Sequence, residues 1–109
     1  MSGLLSHNKV TPNRGELAFG AVTGTTAGTA NTVLTTTMDS VQVSFENTTD
    51  VQLIITRGGV DFKRVPAGNF RVFDLKGNGV GFAPVAWGVY RAAGAPASGV
   101  IEVVAIPFR

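Results

Sequence analysis

A chain of 109 residues has the length of one domain and can bury a core without staples; the absence of cysteine excludes disulfides, thiolate metal sites and a cysteine nucleophile together. Nine basic against seven acidic residues leave a net charge of +2, too little to argue for a nucleic-acid partner. Charged residues make up 15% of the chain, against about 25% in an average soluble domain, and Gly, Thr, Ser and Asn take their place. Such a surface suits a protein covered by other chains, although Thr and Gly are also what a β protein with many turns requires.

Residues 1–15 show no sustained period and contain Pro12, Asn13 and Gly15, so they read as an irregular N-terminal arm, with residues 16–109 as a single domain. The opening MSGLLSHNKV carries two adjacent leucines, too few for the apolar centre of a signal peptide, and no run reaches the length of a membrane helix. A soluble protein is expected. Glu16 to Val22 alternates, with Leu17, Phe19 and Ala21 on one side, and predicts the first strand. Thr23 to Ala30 is turn-rich, Asn31 to Thr37 is the second strand, and Met38-Asp39 is a loop.

Ser40 to Glu46 has the cleanest alternation, Val41, Val43 and Phe45 against Gln42, Ser44 and Glu46, as a half-buried antiparallel strand needs. After the Asn47–Asp50 turn, Val51 to Thr56 alternates Val51, Leu53 and Ile55 against Gln52, Ile54 and Thr56. Gly58-Gly59 can take the positive φ values of a two-residue hairpin, leading to Val60–Val65 with Val60, Phe62 and Arg64 on one side. Pro66 is suited to the first corner of the next turn, and Asn69 to Leu75 then alternates Phe70, Val72 and Asp74 against Arg71, Phe73 and Leu75. Arg57, Lys63, Arg64 and Arg71 cluster in this stretch as solvated positions of a meander.

A loop at Lys76–Gly79, a short strand at Val80–Phe82, a strand at Val85–Arg91 and a loop around Pro96 follow. Val100 to Ile106 is apolar apart from Glu102, which places it between two layers or in an interface. No segment carries a helical period. The expected fold is all-β: an antiparallel β-sandwich, jelly-roll-like, with eight or nine short strands. One core of Val41, Val43, Phe45, Leu53, Ile55, Phe62, Val72 and Val103 is predicted.

Enzyme chemistry fails on inventory. His7 is the only histidine and lies in the arm, the acidic residues lack calcium-loop spacing, and no carboxylate pair stands out; no catalytic residue, metal or cofactor is assigned. Gly77-Asn78-Gly79-Val80-Gly81 resembles a phosphate loop but runs into Phe-Ala-Pro rather than a helix, and Asn47-Thr48-Thr49 is a chance sequon. Trp87 is assigned to the core, whereas Tyr90 suits either the core or an interface.

Two segments carry a resemblance. NTTDVQLIITRGGVDFKRVPAGNFRVFDL combines an Asn-Thr-Asp lead into an apolar strand, a Gly-Val-Asp hairpin and a Val-Pro-Ala-Gly turn; APVAWGVYRAAGAPASGVIEVVAI ends a strand on an aromatic, turns through Ala-Pro-x-Ser-Gly and closes on a Val-rich strand. Together they resemble small virion structural proteins of tailed bacteriophages, over roughly residues 41–106. The resemblance implies a sandwich that works by assembly, as a capsid decoration (cement) protein. Such a protein would be made in the host cytoplasm and located in the virion, with itself (a homo-oligomer such as a trimer) and the major capsid protein as expected partners, and with no nucleic acid or membrane.

A head-tail connector or tail component, or a carbohydrate- or receptor-binding module of a tail spike, is the alternative; exposed Trp87 and Tyr90 flanking a groove would favour the binding module. The residues expected at the interface are Leu4, Leu5, His7, Lys9, Arg14 and Tyr90, with the Gly/Thr-rich residues 20–37 as a second candidate for covering neighbouring chains.

Overall fold

The computed structural model describes residues 11–74 and 82–107. Eight strands lie in it: β1 Asn13–Ala18, β2 Asn31–Thr35, β3 Ser40–Asn47, β4 Leu53–Arg57, β5 Val60–Val65, β6 Asn69–Asp74, β7 Ala86–Arg91 and β8 Val100–Pro107. They form two antiparallel sheets, β1-β8-β3-β6 (sheet A) and β2-β7-β4-β5 (sheet B). Each strand pairs with the one whose number completes nine: β1 with β8, β2 with β7, β3 with β6, β4 with β5. That order is a long antiparallel hairpin wound into a sandwich, the jelly roll, and the expected fold class holds.

Local chemistry sets the corners. Gly58 and Gly59 adopt φ of +61° and +84°, the left-handed pair that lets β4 turn into β5 without splaying the strands. At the next corner Pro66 supplies the carbonyl that accepts from the Asn69 N–H at 3.1 Å, and Gly68 (φ +73°) takes the left-handed position; Pro66 is therefore the residue before the corner and not the first corner itself. The sandwich closes along its β1/β2 side by backbone contact. A Cβ on Gly15 would collide with the Val33 carbonyl of the facing sheet, so glycine is what lets the two strands meet.

The core lies between the sheets, with Val43, Phe45, Leu53, Ile55, Val65, Trp87, Val89, Ile101, Val103 and Ala105 at 0% exposure. Phe45 stands at its centre, with ring centroids 5.5 Å from Trp87, 5.7 Å from Phe73 and 6.1 Å from Phe62. Tilted and edge-on pairs of this kind add about 0.5–1.5 kcal/mol each beyond area burial. The Arg57 guanidinium lies 5.4 Å from the Phe82 ring, and the Lys63 ammonium 5.7 Å from that of Phe73. Two of the four clustered basic residues thus cover the aromatic group with cation–π contacts.

Four further sequence expectations are corrected. The first strand runs from Asn13 to Ala18, so Asn13–Gly15 belong to a strand and not to the arm; Phe19–Ala21 then form a 3-10 turn that leaves Phe19 40% exposed. The Phe19 N–H still bonds the Gly99 carbonyl (2.9 Å) in register with the β1–β8 ladder, and the 3-10 turn that begins there ends the strand. Alternation in β5 is broken by a bulge: Ile55 pairs with Lys63 and Thr56 with Asp61, so Phe62 is the extra residue and both Phe62 and Val65 reach the core. Val41 is only half-buried. In β6 the assigned face is inverted: Phe73 packs on the core while Val72 is 43% exposed, because Phe73 pairs with Val43 and Val72 with outward-facing Ser44. Phe82, the one described residue of the expected strand Val80–Phe82, forms a bridge with Ser40; Val80 and Gly81 lie outside the described residues.

Candidate interaction surface

Period-two geometry gives sheet A an outer face built from the residues that alternate with its core. On β8 these are Val100, Glu102, Val104 and Ile106, between buried Ile101, Val103, Ala105 and Pro107. On β6 they are Phe70, Val72 and Asp74, on β3 Gln42, Ser44 and Glu46, and on β1 Arg14, Glu16 and Ala18. Phe70 is 57% and Val72 43% exposed, and Val100, Val104 and Ile106 are half-buried. Several apolar side chains sharing one solvent face form a surface that a partner covers favourably.

Charge on this face follows the register. Glu16 lies opposite Glu102, and Glu102 opposite Glu46, so three carboxylates cross three neighbouring strands in one row that ends at Phe70. Like charges directly opposite one another are destabilising. Arg14 relieves one of them, with its Nε 3.4 Å from Glu102 Oε2, but its side chain is 65% exposed and such a pair is worth little when solvent screens it. The next row on one side reads Arg14, Val104, Ser44 and Val72 across the four strands, and on the other side Ala18 pairs with Val100. Asp74 accepts from the Gln42 side-chain amide at 2.6 Å.

Tyr90 lies on the opposite side of the molecule. Its neighbours in β7, Trp87 and Val89, enter the core, while Tyr90 pairs with Ile54 on the outer face of sheet B and is 8% exposed. Its hydroxyl donates to the Asp61 carboxylate, 2.8 and 2.9 Å from the two oxygens. That hydrogen bond to Asp61, then burial, raises the Tyr90 pKa above its ordinary 10.0. Of the expected interface residues, Arg14 and Tyr90 therefore occupy opposite faces of the sandwich and share no site. Leu4, Leu5, His7 and Lys9 lie outside the described residues, as do Gly77-Asn78-Gly79-Val80-Gly81.

The Gly/Thr-rich stretch is largely bonded to itself. Asn31 Oδ1 accepts from the N–H groups of Thr23 and Gly24 at 3.0 and 2.8 Å, and the Thr29 hydroxyl accepts from those of Thr25 and Thr26. Trp87 is fully buried, as the sequence predicts, so it lines no open groove with Tyr90. Among the described residues no group of three or more His, Cys, Asp or Glu side chains could hold a metal ion, and no helix is long and apolar enough to cross a membrane.

Phe70, Val104 and the glutamate row were not singled out from the sequence as a surface, and Val72 was assigned to the core. A signal for them existed: Val100–Ile106 is apolar on both faces, and Asn69–Asp74 carries Phe on both faces, more apolar surface than one core can absorb. No protein-family model matches this chain, and no curated protein matches it.

Proposed function

We propose that the protein is a non-enzymatic structural component of a bacteriophage virion, of the decoration (cement) kind, which stabilises a shell by protein–protein contacts. The observation that carries this reading is the outer face of sheet A, where Phe70, Val72, Val104 and Ile106 remain available after the core is complete. A jelly roll with a side-chain-filled interior offers surfaces rather than a cavity, and the same architecture recurs in viral capsid domains, an analogy at the level of fold alone. Repeated by symmetry, an interface of about 1,200–2,000 Å² per contact locks neighbouring subunits without chemistry. The burial of Trp87 favours this reading over a glycan-binding module, which would need its aromatics at the surface. Mass spectrometry of purified particles of the phage encoding this chain should find the protein in many copies per particle. Its absence from the particles would end the proposal.

A further inference from the structure

We propose that residues 1–10 of one copy dock on the outer face of sheet A of a second copy. The inference rests on the reading that the protein acts by assembly, and it names the surface and the segment that does so. The face is apolar and acidic: Val72, Val104, Val100, Ile106 and Phe70 surround Glu16, Glu102 and Glu46, with Asp74 at one corner and Arg14 as the one basic residue. The segment MSGLLSHNKV is its complement, with Leu4, Leu5 and Val10 as apolar groups, His7 and Lys9 as basic ones, and no acidic residue before Glu16. In extended form Leu5, His7 and Lys9 would project to one side at a spacing of two, which sets an apolar group beside two basic ones, as Val72 and Val104 stand beside the glutamate row.

Reach and direction select the second copy. Ten extended residues span at most about 33–36 Å. Four strands at about 4.8 Å spacing make a face only about 15 Å across, so length permits docking on either copy. The entry into β1 decides between them. Thr11 and Pro12 form no turn before β1 begins at Asn13, and a residue before proline is biased to extended geometry. Extended geometry carried back from β1 would take the segment beyond the end of its own sheet, where a neighbour's face can receive it, whereas its own face would require a reversal. An arm-to-face contact joins two different surfaces, and reciprocal exchange of arms between two copies would close it.

Sedimentation equilibrium over a wide concentration range, with thermal melts of every variant, tests this. The full chain should self-associate. A chain lacking residues 1–10 should be monomeric with its β spectrum intact, since β1 starts at Asn13. Val72→Asp on the exposed face should abolish association in the same way. Lys9→Glu should weaken it about tenfold or more, and adding Glu46→Lys should restore it, as expected for a charge pair across an interface. Association that survives both the deletion and Val72→Asp would overturn the inference while leaving assembly through another surface in place. A full chain that is monomeric throughout would also overturn it, and the particle composition would then judge the virion reading separately.

Discussion

Asn47 carries more of the fold than its place in a turn suggests. It is fully buried, and its side-chain Nδ2 donates to the carbonyls of Val51 and Val65 at 2.9 Å each while its Oδ1 accepts from the Thr49 N–H at 2.9 Å. One amide therefore ties together the end of β3, the turn leading to β4 and the end of β5. Truncation would leave several buried backbone groups without partners, so Asn47→Ala should cost about 3 kcal/mol in urea unfolding. Asn47→Asp should fare no better, because it loses both donors and buries a carboxylate. The burial also removes Asn47 as a glycosylation acceptor in the folded domain. Tyr90 makes a pH-dependent contribution. Its folded-state pKa is raised by the bond to Asp61, so over the range above pH 10.0 the folded chain keeps a proton that the unfolded chain has lost. The resulting stability is complete below that range and is lost as pH rises through the folded-state value. Melting temperatures measured from pH 8.5 to 11.5 should fall more steeply for the native chain than for Tyr90→Phe.

The elements divide into those whose alternation survives and those reset by a neighbour. In β8, and in β3 from Val43 onward, every second residue enters the core as the pattern dictates. In β6 both alternations look plausible, since Phe70 and Val72 compete with Phe73; pairing to β3 decides in favour of Phe73, whose ring lies 5.7 Å from Phe45 and 5.2 Å from Phe62. Phe73→Ala should therefore cost about 2–3 kcal/mol, and Val72→Ser no more than about 0.5 kcal/mol, when both are measured at dilute concentration. Equal effects, or a reversed order, would show that the register of β6 is wrong. The β5 bulge is a second case. One extra residue at Phe62 lets Phe62 and Val65 both face inward, which strict alternation forbids.

At the scale of the whole molecule, strands distant in sequence are paired, β1 with β8 and β2 with β7, so neither sheet can be completed from one half of the chain. Both sheets share one core, and Phe45 from sheet A touches Trp87 from sheet B. The sandwich should unfold as a single cooperative unit. Trp87 is the only tryptophan and is fully buried, so its emission reports the contact between the layers. In urea its red shift should coincide with the loss of far-ultraviolet ellipticity; separated midpoints would mean that the sheets come apart before they melt.

The sequence alone determined the β class, the corner at Gly58-Gly59, most of the core and the burial of Trp87. Each of these rests on local chemistry: period-two alternation, a backbone conformation open to glycine, and the area a large aromatic must hide. It also marked β8 as apolar on both faces and put Phe on both faces of β6, the two traces of the candidate surface. Tertiary structure alone decided the strand order, the inverted face of β6, the bulge at Phe62 and the parting of Arg14 from Tyr90. Those depend on which strand lies alongside which, and the pairing register turns a whole set of side chains inward or outward at once. The row Glu16–Glu102–Glu46 shows why. Three residues far apart in the chain become neighbours only when β1, β8 and β3 are laid side by side, and no local pattern encodes that meeting.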